Sequence, residues 1–320
     1  MPLWKKTSSE DEQRRMQAQQ EAQASRRSLE AGGLPFQATR RLSEEVEASH
    51  PLFTSDLSTN EFLLARNKGY TPLSQVMGSS IYHVGWRNLL PSSWNTFESE
   101  MTTITNAHQH AAQLALGRLE QEAALMQAHG VIGVRLNTRD YEWGENVLEY
   151  TAIGTAIRLP NTPLPPRPFL SDLSGQEFWT LLQAGYSPDG VVTGFCSYYV
   201  SLGSRATRQL NTFGGGWANQ EIVPFSQALS TARSRAMDRL LNMSRTLHAI
   251  GVVGMHIHCK RRVIAHESND IKFTVQFSAI GTAITAQKKD HIIPTVQPTL
   301  SFSDLRPGQR GETRELTIRE

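Results

Sequence analysis

One pattern occurs twice in this chain, and that self-similarity limits its architecture more than any other feature. SDLSTNEFLLARNKGYTPLSQVMGSSIYHV begins at Ser55 and returns as SDLSGQEFWTLLQAGYSPDGVVTGFCSYYV at Ser171, an offset of 116. AIGTAI stands at Ala152–Ile157 and again at Ala279–Ile284, an offset of 127, so the second copy carries 11 more residues, most of them around Leu202–Glu221. The chain then divides into a charged arm (1–50), a first domain (51–158), a linker with five prolines (159–170), a second domain (171–286) and a polar tail (287–320). With 320 residues, each copy has enough chain to bury a core of its own. Proline stiffens the linker into an extended spacer, which predicts separable domains. The arm, rich in Gln, Arg and Glu, lacks an apolar stripe wide enough to fold alone, and predicts a frayed helix or disorder.

Each copy carries the same local signals. Ser58 with Glu61, and Ser174 with Glu177, have the S-x-x-E spacing of a capping box, in which the two side chains satisfy backbone donors at a helix start. Gly69 and Gly185 follow where a short helix ends in the left-handed conformation. PLSQVMGSSIYHV and DGVVTGFCSYYV, β-branched and aromatic, are interrupted by Gly78 and Gly194 and predict bent or paired strands. A long helix comes next. In the second copy Phe225, Leu229, Ala232, Ala236, Leu240, Met243, Leu247 and Ile250 form an apolar stripe at steps of three and four. Its counterpart in the first copy is Ile104, His108, Ala111, Ala115, Leu119, Glu122, Met126 and His129. Two more strands close each copy. The expected fold class is α+β: two tandem domains, each a mainly antiparallel sheet with one long helix packed on it and a short leading helix.

Composition removes several functions. With Lys+Arg 32 against Asp+Glu 30, the net charge of +2 gives little attraction to nucleic acid or anionic lipid. No apolar run reaches the roughly 18 residues that span a bilayer. Two cysteines, Cys196 and Cys259, make no disulfide framework, and the N-terminus lacks a signal-peptide core, so a reduced, cytoplasmic setting is expected. No nucleophile with an adjacent base is apparent, which points away from an enzyme.

EAALMQAHGVIGVRLNT followed by YTAIGTAI, Glu122–Ile157, resembles the YbjQ-like family, whose label is heavy-metal binding; FGGGWANQEIVPFSQALSTARSRAM with AIGVVGMHI resembles it a second time. The resemblance implies a dodecin-like α+β fold, assembly into pentameric rings, no established reaction, and a divalent metal as the possible ligand. Met243 and Ser244 depart from the family's Glu-Ala pair, which Glu122 and Ala123 retain. A homo-oligomer also covers the sheet edges that short strand pairs leave open. Opposite charge favours contact between the copies: 51–158 holds 7 basic and 10 acidic residues, 166–284 holds 11 and 7. Five chains in two stacked five-fold rings is the expected assembly, with the arm free to recruit a protein partner. The rival reading is a heavy-metal or small-ligand binding protein using sites at domain or subunit boundaries.

Candidate ligand-binding residues come from the places where the copies differ. His108, Glu122 and His129 replace Leu229, Met243 and Ile250 on the helix stripe, and buried polar groups demand partners. Arg135, on the next strand, is the expected partner of Glu122. His256 and His258 in GMHIHCKRR share one face of a strand and are the weak metal candidates, while Cys259 points to the other face. Their counterparts, Arg135 and Asn137, are not metal ligands, so a polar wall is the simpler reading. FGGGW, Phe213–Trp217, lacks the Lys and Ser/Thr of a phosphate loop and reads as a flexible connection.

Overall fold

The structure, a computed structural model, describes residues 9–48, 53–84, 98–140, 147–201, 221–267 and 270–287. Among them are six helices and two four-stranded sheets. The elements run α1 (Ser9–Glu30), α2 (Phe36–Glu47), α3 (Thr59–Asn67), β1 (Thr71–His83), β2 (Glu98–Glu100), α4 (Thr102–Leu125), β3 (Gly130–Asp140), β4 (Val147–Arg158), β5 (Phe169–Leu170), α5 (Gly175–Gln183), β6 (Tyr186–Ser201), α6 (Val223–Thr246), β7 (Gly251–Glu267) and β8 (Asp270–Ala286). The first sheet has the order β1-β4-β3-β5 and the second β2-β6-β8-β7, antiparallel throughout except that β5 runs parallel to β3. No described helix is long and apolar enough to cross a membrane. The α+β layering expected from the pattern is present, FGGGW and the C-terminal tail lying outside the described residues.

The two halves match in detail. Both capping boxes form, Ser58 with Glu61 and Ser174 with Glu177. Gly69 and Gly185 end their helices at φ 80° and 81°, where an L side chain would strain the backbone. The strands expected to be bent or paired are instead continuous, 13 residues in β1 and 16 in β6. Gly78 and Gly194 serve the helix rather than a bend. A Cβ on Gly78 would lie 2.0 Å from the Ala115 carbonyl oxygen of α4, and one on Gly194 2.0 Å from that of Ala236 in α6. Each 24-residue helix therefore touches its sheet backbone to backbone, with Ala115 and Leu119, or Ala236 and Leu240, fully buried at the contact.

The halves are not separate bodies. β2 belongs in sequence to the first half yet pairs with β6, Glu98 opposite Val200 and Glu100 opposite Tyr198. β5, the last two residues of the linker and the lead-in to the second half, pairs with β3, Gly130 opposite Phe169 and Val131 opposite Leu170. The ladder continues past β5, because Ser171 donates to the Val131 carbonyl while Gly133 and Val134 donate to those of Leu173 and Ser171. Around this exchange a shared core forms from Ala65, Tyr70, Ile132 and Ile157 of the first half and Leu173 and Phe178 of the second. The separability expected from the linker is thus lost, since each sheet takes an edge strand from the other half.

The N-terminal arm differs from expectation as well. Residues 9–48 fold back as a hairpin of α1 and α2. Leu42 is fully buried in the core of the first sheet, while most of α1 faces solvent. The arm has too little apolar surface to fold alone, but two buried leucines, Leu34 and Leu42, and a helix surface to rest on are enough to place it.

Candidate functional site

The four ligand candidates of the first half do not meet. His108 is buried on α4, with Nδ1 2.7 Å from the Tyr150 hydroxyl and its ring stacked on Phe195 of the second sheet at 3.9 Å between centroids. His129 closes the linker: the Leu159 N–H donates to Nδ1 at 3.2 Å, so Nε2 carries the proton and donates to the Thr162 carbonyl at 2.8 Å. Glu122 accepts from the Met77 N–H at 2.9 Å and pairs with Arg41 of α2 at 3.4 Å. The expected Glu122–Arg135 pair is absent, because Arg135 lies across the sheet and pairs with Asp56 at 3.2 Å. Burial raises the Glu122 carboxyl above its ordinary range and Glu45 adds to it, opposed by the Met77 N–H and Arg41. Three buried polar groups thus make structural bonds, and Glu122 caps a free amide on the outer edge of β1.

Arg135, His256 and His258 do share a place. They line a cleft of about 390 Å³ where the halves join, together with Asp56, Glu61 and Asp172. The cleft is built twice from one motif. In SDLS, the Asp56 N–H donates to Thr155 Oγ1 at 3.0 Å, and the Asp172 N–H to Thr282 Oγ1 at 2.9 Å. Beyond the threonine, β3 slips register between Ile132 and Arg135, and β7 between Val253 and His256, with Gly133 and Gly254 at φ 65° and 66°. The slip brings Arg135 to Asp56 and His256 near Asp172. Sequence reading took SDLS only as a helix start, and so missed Asp56, Asp172, Thr155 and Thr282. The recurrence of Asp before the cap, matched by the Thr of AIGTAI, was the signal.

Charge in the cleft is uneven. Burial pushes the Asp172 carboxyl up to about 6, opposed by the Thr282 hydroxyl and His256. Its Oδ1 accepts from Thr282, whereas Oδ2 is buried with no hydrogen-bond partner among the described residues. Burial also raises Glu61, but bonds from Ser58 and the Gly175 N–H, with Arg135 nearby, outweigh it and hold that carboxyl below its ordinary range. Glu61 reaches across the junction, accepting from Gly175 at 2.8 Å.

A metal ion needs three or four converging ligands. Among the described residues no group of three His, Cys, Asp or Glu side chains is placed to hold one. His256 and His258 are exposed on β7, as is Cys259, one residue on. Cys196 is fully buried, and burial pushes its thiol up to about 11, which suits an inert core position. Among the described residues the donor set does not fit a heavy-metal centre.

Residues 67–160 match the sequence profile of the YbjQ family, described as "Putative heavy-metal-binding". The chain is 34% identical over 249 residues to the encapsulin nanocompartment protein Rv1762c of Mycobacterium tuberculosis, an alignment covering 76% of this chain and 89% of that protein. It is 33% identical over 100 residues to the UPF0145 protein ACIAD2946 of Acinetobacter baylyi, covering 30% of this chain and 90% of the other. By its profile match and by these two relatives, the chain belongs to the YbjQ (UPF0145) family.

Proposed function

We propose that the protein is a non-enzymatic, self-assembling scaffold in which each half is a YbjQ-like unit and chains join head to tail through the contact already made between their halves. One observation carries this reading: among the described residues, the interface inside the chain has a counterpart at both ends that no other segment occupies. On the first sheet, β3 receives β5 and the SDLS segment behind it. On the second sheet, β7 holds the corresponding place, and no described strand pairs with its outer edge. The segment that matches this edge is 53–57. Phe53 stacks on Phe62 at 5.3 Å as Phe169 stacks on Phe178 at 5.5 Å, so the free segment is already shaped like the docked one. Phe178 is 0% exposed, whereas Phe53 and Leu63 are 45% and 53% exposed. Ile257, on the waiting strand, is 45% exposed. An open strand edge flanked by apolar side chains is a template for another chain. The relative named as an encapsulin nanocompartment protein supports a shell or scaffold role.

Strand exchange sets the halves side by side as successive units of one rim. A ring closed through this contact therefore holds an even number of units, so five chains make one ring of ten units rather than two stacked rings of five. Light scattering or native mass spectrometry tests the reading. The wild type forms closed oligomers, and Met255→Lys, which puts a charge on the β7 edge, or Phe53→Lys raises the dissociation constant at least about tenfold, or roughly 1.4 kcal/mol. A wild type that stays monomeric contradicts it.

The ligand-binding reading keeps one observation in its favour, the junction cleft with the unpartnered Asp172 Oδ2. Elemental analysis of untagged protein, wild type beside His256→Ala/His258→Ala and Glu122→Ala, separates the two: a stoichiometric metal that the variants lose favours the second.

A further inference from the structure

The same contact has another side, and there the two sheets differ in what covers them. The first half's β2 and the start of α4 sit against β6. Met101 donates to the Ser197 carbonyl, Ser197 donates to Thr105 Oγ1 at 3.0 Å, Gln109 holds Thr193, and His108 stacks on Phe195. Thr193 and Ser197 are accordingly 6% and 0% exposed. Their counterparts on β1, Met77 and Ile81, are 49% and 65% exposed.

An arginine marks the same point on both sheets. Arg239 of α6 donates to the Phe195 carbonyl at 3.3 Å, and a second arm meets Glu100 of β2 at 2.5 Å. Arg118 of α4 donates to the Ser79 carbonyl, which corresponds to Phe195, but its remaining arms go to the carbonyls of Gly33 at 3.1 Å and Leu29 at 3.3 Å. The α1–α2 turn thus stands on the first sheet where Glu100 stands on the second. Its hold is small for 40 residues: Leu42 is its one fully buried side chain among the described residues, with Leu34 at 7% exposure, Gln121 of α4 reaches the Gly32 carbonyl at 3.3 Å, Arg41 is half exposed over Glu122, and its internal ion pairs Arg26–Glu30 and Arg40–Glu21 involve exposed arginines.

Resting on the self-association reading above, we propose that the α1–α2 hairpin is a displaceable cap over the docking seat for the start of α6 of a second copy. Just before α6 the residue corresponding to Glu100 is Glu221, followed by Ile222 and Val223, which are 36% and 54% exposed. On docking, Arg118 exchanges two neutral carbonyls for the Glu221 carboxylate, the acceptor Arg239 already has, and a charge-assisted bond is the stronger of the two. The apolar start of α6 then covers Met77 and Ile81 as α4 covers Thr193 and Ser197.

The test uses full-length chains in sedimentation velocity, with circular dichroism to confirm folding. Arg41→Glu sets a negative charge against Glu122 and loosens the hairpin without touching the core; Leu42→Glu does so more strongly. Both raise self-association about tenfold over wild type, and Glu221→Arg cancels the gain in either background. Folded Arg41→Glu protein that associates no more tightly than wild type overturns the cap, as does Glu221→Arg without effect. If Met255→Lys still dissolves the wild-type oligomer in that case, the scaffold reading stands and only the cap falls. If wild type and Arg41→Glu are both monomeric at every concentration, both fall.

Discussion

Phe178 and Phe62 occupy matching places after matching capping boxes, stacked on Phe169 and Phe53, yet one is fully buried and the other lies partly open. The difference does not come from either half's own fold. It comes from position: Phe178 is covered by Ala65, Tyr70 and Ile132 of the first half, and among the described residues no such group covers Phe62. Exposed apolar surface on one copy, where its twin is buried, is the surface that the proposed self-association would cover.

The largest way to break this comparison is truncation. Phe178→Ala is expected to cost about 4 kcal/mol in chemical denaturation, because it opens a cavity in the shared core. Phe62→Ala, measured where the chain is monomeric, costs about 1 kcal/mol, and equal losses would show that Phe62 is already enclosed. Glycine substitutions sharpen the opposite point, that the halves are alike inside. Gly78→Ala and Gly194→Ala each drive a Cβ into a helix carbonyl, and each lowers stability by about 3 kcal/mol.

Much of the fold was legible because its causes are local. Capping serines, terminal glycines, the helix stripe and the AIGTAI strands announce themselves within a few residues. The strand exchange was not legible, since nothing in ESE or in FL says which sheet will receive it. β1 and β6 were read as broken because Gly78 and Gly194 look like punctuation. Their reason lies across the sheet, in a helix backbone at contact distance. The same limit applied to the site. Glu122 was expected to pair with Arg135, but its partner, Arg41, is 81 residues away in a segment expected to be frayed or disordered. Asp172 went unnoticed because its neighbours are a threonine on β8 and a histidine on β7.

Acidity gives a smaller contrast. The native state holds the Asp172 proton more tightly than the unfolded chain, with its carboxyl at about 6 against an ordinary 3.8. The contribution of Asp172 to stability is then greatest below pH 4 and is lost as pH rises through 6, about 3 kcal/mol in all, before levelling. Asp172→Asn removes that slope in urea titrations across pH, and an unchanged slope would clear Asp172 of responsibility. The smallest effect expected is that of Arg135→Ala, whose pair with Asp56 is largely exposed. It costs under about 1 kcal/mol and less again at high salt.

The most direct measurement is a cross-link between chains. Thr54 and Val252 correspond to Leu170 and Val131, which face each other across β5 and β3. Full-length protein carrying Thr54→Cys and Val252→Cys, with Cys259→Ser to remove the exposed thiol, is treated with a short bismaleimide and run on a denaturing gel. The account predicts a ladder of covalently joined chains that vanishes when either cysteine is reverted. Chains that stay single, although both thiols react with a monofunctional maleimide, would contradict it.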